Sequence, residues 1–212
     1  MLTFLVAAPS FAATIDWTDW NAFNSGSATG TMDSGAISVN FSGNLETSRT
    51  QTGTGTNYWT EGDPAPYTGN SVVDNAPTAA EMVTLNRAGQ ATITFSEALL
   101  NPVMAIVSQG RTGLPVTYDF DQSFTVLSEG RGYWGDGWYN HDTSNDLLEG
   151  FELHAVIQFT GLISEINMSY NPSEFWHGIT FGNVGSAAVP EPATVMLFGL
   201  GLLGLAGVSR KK

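Results

Sequence analysis

Between Ile15 and Val184, apolar and polar residues alternate in short bursts. Ala36–Phe41 reads Ala-Ile-Ser-Val-Asn-Phe and Ala91–Phe95 reads Ala-Thr-Ile-Thr-Phe. Val116–Phe120, Phe124–Leu127, Ile163–Tyr170 and Gly178–Phe181 keep the same beat, and Phe151–Phe159 is the longest stretch. A period of two puts alternate side chains on opposite faces, the mark of a half-buried strand. Gly, Asn and Pro clusters separate the bursts, as turns require. Helical periodicity is scarce. Ala79–Leu85 is long enough for a helical turn, yet Glu81–Leu85 also alternates. The pattern predicts an all-β chain: a single antiparallel β-sandwich or jelly-roll-like ectodomain of about eight to ten strands, with a barrel as runner-up. Ser25–Gly35 and Gly53–Asn70 read as loops, and no internal repeat is visible.

The two ends break this pattern. Leu2–Ala8 is apolar, and Ser10-Phe11-Ala12 sets small residues three before and one before a cut after Ala12. That is the cleavage end of a secretory signal peptide. No Lys or Arg precedes the apolar run, so the signal is either weak or truncated at its start; a first buried strand is the alternative. At the other end Ala193–Val208 carries no charge. As a helix it is about 24 Å long, against a bilayer core of roughly 30 Å. Arg210, Lys211 and Lys212 follow it. Basic residues stay cytoplasmic, so the body is expected across the membrane. Gly199, Gly201, Gly204 and Gly207 suit close helix packing, and a span this short suits a temporary hold. The expected division is signal peptide 1–12, ectodomain 13–185, linker 186–192, transmembrane helix 193–208 and basic tail 209–212.

Charge narrows the partners. The net charge is −13, with 20 acidic residues against seven Lys and Arg. Ahead of the last three residues stand only Arg49, Arg87, Arg111 and Arg131. Such a surface repels phosphate backbones, so no nucleic acid is expected. Cysteine is absent, which excludes disulfides, thiol catalysis and thiolate metal sites.

Val189-Pro190-Glu191-Pro192, then an apolar span, then Arg210, Lys211 and Lys212, resembles the PEP-CTERM sorting signal of Gram-negative bacteria. The resemblance covers about the last 24 residues. It implies export through the secretion machinery, transient anchoring in the inner membrane and processing by an exosortase, a membrane transpeptidase. The product would reach the cell surface or extracellular space. Two prolines keep the motif extended and open to a protease. Ile15–Trp20, Asn101–Ser108 and Trp176–Thr180 look like ectodomains of other PEP-CTERM proteins of unassigned function, and carry no active-site residues with them.

Candidate chemistry is sparse. Tyr133, Trp134, Trp138 and Tyr139 sit among glycines. Flat rings held by flexible backbone stack on sugar faces, so they are carbohydrate-binding candidates; rings covering one end of the core are the alternative. Tyr58 with Trp59, and Phe175 with Trp176, face the same choice, while Trp17 and Trp20 are expected to pin the first strand. Asp136, Asp142 and Asp146 supply oxygens for calcium, without an EF-hand's frame; a plain solvated turn is the alternative. Glu152 with His154, and Glu174 with His177, give only pairs where zinc needs three or four ligands. Asp119 and Asp121 share a strand face and are the nearest thing to an acid–base pair. No nucleophile elbow or phosphate loop occurs.

The leading expectation is a non-enzymatic, exported surface or matrix protein associated with exopolysaccharide or biofilm, needing no cofactor. A lectin-like module, calcium-assisted or not, is the alternative, and a secreted hydrolase the lesser one.

Overall fold

The computed structural model describes residues 12–184. Apart from Ala12, the expected signal peptide lies outside the described residues, as do the linker, apolar span and basic tail. Among the described residues no helix is long and apolar enough to cross a membrane.

The chain is all-β. Its strands are β1 (Ile15–Trp17), β2 (Asp19–Phe23), β3 (Ser27–Met32), β4 (Ile37–Gly43), β5 (Gln51–Thr52), β6 (Glu81–Leu85), β7 (Gly89–Leu100), β8 (Val103–Gln109), β9 (Val116–Phe120), β10 (Phe124–Glu129), β11 (Trp138–Asp142), β12 (Leu147–Phe151), β13 (Leu153–Phe159), β14 (Leu162–Asn171) and β15 (His177–Val184). They form two antiparallel sheets. One runs β10-β13-β8-β15-β6-β5, with β1 also on β15. The other runs β11-β12-β9-β14-β7-β4-β3-β2. β6 pairs with the start of β15 and β1 with its end, so the two share one edge. Both sheets are open, which sets the barrel reading aside.

Alternation builds the core as expected. In β4, Ile37, Val39 and Phe41 point inward while Ser38, Asn40 and Ser42 face solvent. They meet Met104, Ile106, Phe159 and Phe181 of the facing sheet in one intersheet cluster. β8 differs, because all seven of its residues are buried. Met104 and Ile106 enter the intersheet core, whereas Val103, Ala105 and Val107 join a second cluster on the outer face. A strand covered on both faces reads as a continuous apolar run.

The outer cover is the long segment between β5 and β6. Trp59, Tyr67 and Val73 are buried in that second cluster. The segment is held by its own polar groups. Glu61 accepts the Tyr67 and Thr68 N–H groups at 2.8 Å each, and the Trp59 indole donates to the Glu81 carbonyl at 3.2 Å. The loop expected at Gly53–Asn70 is thus a packed third layer.

Two expectations change. Part of the loop expected at Ser25–Gly35 is the strand β3, and only Asp33–Gly35 forms a 3-10 turn. Its inward positions are Ala28, Gly30 and Met32, two of them too small to show alternation. Gly30 is required there: a Cβ would stand 2.6 Å from the Asp19 carbonyl oxygen of β2. Short strands of this kind raise the number above the eight to ten expected. The second change is at Phe151–Phe159, which is two strands in two sheets. The chain crosses between the sheets at Glu152, whose φ is 65°.

Candidate functional site

That crossing lies at one end of the sandwich, where loops from both sheets meet. β8 and β13 are out of step there: Leu153 pairs with Gln109, but Ala155 pairs with Ile106. Two residues of β8, Val107 and Ser108, therefore oppose His154 alone, which is a β-bulge. Bulges re-aim side chains. Ser108 takes a φ of 59° and its hydroxyl donates to the Glu152 carboxylate. Glu174, on the loop before β15, accepts the Gly110 N–H at 2.8 Å.

These three polar residues line a cleft of about 610 Å³. Its walls include Trp134, Phe175 and Trp176. Trp134 meets Trp176 edge-on at 6.2 Å, and Tyr58 lies 5.0 Å from Trp176 and 4.9 Å from Tyr133. Trp134 is 53% exposed and Phe175 71%, so the rings face solvent. Arg49, Arg87 and Arg111 line the same cleft. The Arg49 guanidinium sits 5.6 Å above the Phe175 ring, a cation–π distance. Arg87, at a φ of 58°, donates its backbone N–H to the Glu174 carbonyl and ties two loops together.

Burial sets the electrostatics of the floor. It pushes the Glu174 carboxyl up to about 7, against the Gly110 N–H, with the Glu152 charge adding and Arg111 opposing. Burial also raises Glu152, against its bond from Ser108. His154 lies behind Glu152, with Nε2 3.9 Å from its carboxylate. Burial lowers His154 to about 4, so its imidazole is neutral. His177 is fully buried, contacts the Tyr118 hydroxyl, and is lowered to about 3 by burial.

The four aromatic candidates separate. Trp134 lines the cleft and Tyr133 stands beside it. Trp138 is on β11, stacked on its cross-strand partner Phe151 at 3.6 Å. Tyr139, on the opposite face of β11, is half-buried against the intersheet core. Of the other aromatic pairs, Phe175 and Trp176 line the cleft and Tyr58 packs behind them on Trp176, a meeting the sequence did not show.

The calcium candidates also part. Asp142 opens the β11–β12 turn, where its carboxylate accepts from Ser144 N–H and Oγ and from the Asn145 amide. Those bonds hold it down to about 2. Asp146 closes the same turn at a φ of 54° and accepts from Ser123, while Asp136 lies in the preceding loop. Among the described residues no three His, Asp or Glu side chains are grouped to hold a metal. Asp119 and Asp121 lie in a different groove, where Asp121 binds the backbone and side-chain amides of Asn167 at 2.8 Å each. They do not converge with Glu152 and His154.

The described chain is thus a two-sheet β domain with an open aromatic cleft rimmed by arginines. Residues 188–211 match the family model of the PEP-CTERM protein-sorting motif. The chain therefore carries a PEP-CTERM sorting signal at its C-terminal end, and a motif of this kind implies export, membrane-anchored sorting and processing by an exosortase. Val189, Pro190, Glu191, Pro192, Arg210 and Lys211 fall within the match, and Lys212 follows it. All seven lie outside the described residues. No curated protein and no solved structure matches the chain.

Proposed function

We propose that the protein is a non-enzymatic component of the cell surface or extracellular matrix that associates with exopolysaccharide through the cleft. It is held briefly in the inner membrane, and an exosortase removes the tail near Pro190-Glu191-Pro192. The observation that carries the reading is the cleft itself. Solvent-facing Trp134 and Phe175 beside Trp176 offer flat stacking surfaces, and the volume of about 610 Å³ suits a small ligand. The sorting motif supports the destination.

Two measurements test this. Fractionation of cells making the intact chain, or one with Pro190-Glu191-Pro192 replaced, should show the altered form retained in the membrane at full size. Unchanged size and destination would remove the sorting claim. A glycan array probed with the full chain in detergent should show binding that Trp134→Ala weakens about tenfold, or roughly 1.4 kcal/mol. A chelator arm separates the calcium-assisted form, which loses its signal without the metal.

One observation favours a hydrolase instead: Glu152 and Glu174 share the cleft, and both are raised by burial. A glycosidase acid needs a raised carboxyl opposite a second one. Release of reducing ends from a bound polysaccharide, abolished in Glu174→Gln, would establish that reading over the non-enzymatic one.

A further inference from the structure

The cleft gathers most of the positive charge that stands ahead of the tail. The chain has seven basic residues against 20 acidic ones, and three of the seven end the tail. Of the four remaining arginines, Arg49, Arg87 and Arg111 line this one cleft. Arg131 instead lays its stem against Gly62, where a Cβ would meet it at 2.8 Å.

Arg49 lies over the Phe175 ring and its charge acts on Glu46, yet no close ion pair occupies these guanidiniums among the described residues. Among the described residues no arginine stands within 4.0 Å of a carboxylate. Arg111 acts on Glu174, but neither Arg49 nor Arg87 bears on Glu174 or Glu152. The floor carboxyls therefore do not account for the rim.

Guanidinium is the side chain whose planar fork matches a carboxylate. An aromatic wall matches the apolar face of a sugar ring. We propose that the cleft selects acidic saccharides, pyranose rings carrying a carboxylate, over neutral ones. The inference rests on the polysaccharide reading above and adds the ligand's charge to it. The ring stacks on Trp134, and the carboxylate is held by the arginines of the rim. The remaining surface is acidic and repels a polyanion, so attraction is confined to the cleft.

The test compares polygalacturonate with the same polymer after methyl esterification, which caps the carboxylates and leaves the rings. The full chain in detergent is titrated with each, and with dextran sulfate as an anion of different geometry. Free polygalacturonate should bind at least about tenfold tighter than its ester. Arg49→Gln with Arg111→Gln should erase that difference, since the charge-assisted bonds to the carboxylate are what the ester cannot make. Both residues are exposed, so folding is retained and is checked by circular dichroism. Trp134→Ala should weaken both polymers alike. Equal binding of acid and ester would overturn the acidic preference while leaving polysaccharide association standing. Tighter binding of dextran sulfate would overturn the carboxylate assignment. Binding of no polysaccharide would remove the underlying reading as well.

Discussion

Ser108 and Glu152 face each other across the β8–β13 bulge, joined by a hydroxyl-to-carboxylate hydrogen bond, and both hold left-handed backbone at φ 59° and 65°. Non-glycine residues there cost of order 1–3 kcal/mol each, and such costs cluster at binding sites. Glu152→Gly relieves one of them and loses the Ser108 bond. The two effects oppose, so its thermal midpoint should stay within about 3 °C of the parent, roughly 1 kcal/mol for a domain of this size. Polysaccharide affinity should change despite that. A stability loss above about 3 kcal/mol in urea unfolding would mean that the contact maintains the crossing and the strain serves folding alone.

The cover over the outer face is argued from Trp59. It is 2% exposed, packs edge-on against Tyr67 at 5.3 Å, and donates to the Glu81 carbonyl. Trp59→Ala leaves a large cavity between the sheet and the 53–80 segment, and buried aromatic truncations cost about 3–5 kcal/mol. Urea unfolding should show a loss of that size in a single transition. If the loss is under about 1 kcal/mol, the segment is not an integral layer of the fold.

His154 and His177 are neutral in the fold because burial disfavours the imidazolium. Their folded values, about 4 and about 3, lie below the ordinary value of 6.5. The unfolded chain takes up protons first, so the stability these residues contribute is present above pH 6.5 and is lost as pH falls towards 3. Two of the three histidine ring signals should therefore stay flat in NMR from pH 8 to 5. Midpoints near 6.5 for all three would show that the imidazoles are hydrated.

Much of the fold was legible in the sequence. The alternation at Ile37–Phe41 and Ile93–Phe95 reports inward and outward faces directly, because bulky apolar residues hold every second place. It fails at β3, where Ala28 and Gly30 are buried without being bulky, since two backbones approach closely there. It also fails at Glu152, because a period-two pattern continues unchanged while the backbone turns into the other sheet. The cleft was half legible. Trp134, Phe175 and Trp176 stand out by residue type. Arg49, Arg87 and Arg111 are far apart in sequence, and only the antiparallel pairing of β6, β8 and β15 brings their loops to one end.

Glu174 links stability and binding to pH in opposite ways to the histidines. Its carboxyl is raised to about 7 from 4.5, with burial as the first cause. Between those values the folded state binds the extra proton, so the slope of stability with pH is negative. The contribution is most favourable at or below pH 4.5 and declines as pH rises through about 7. Glu81 behaves alike, raised to about 7 by burial. Glu174→Gln should therefore gain in thermal midpoint relative to the parent as pH goes from 5 to 8, and the difference should level off above 8. The same proton acts on the ligand. Glu174 faces Arg111, Glu152 and the Gly110 N–H, with Arg49 and Arg87 on the rim and neutral His154 behind Glu152. Protonating Glu174 removes a charge that competes for Arg111, while a uronate remains ionised down to the ordinary carboxyl range. Polygalacturonate affinity should thus rise severalfold from pH 8 to 5.5 in the parent and stay nearly flat in Glu174→Gln. An equal rise in both proteins would place the titrating group elsewhere and detach Glu174 from the site.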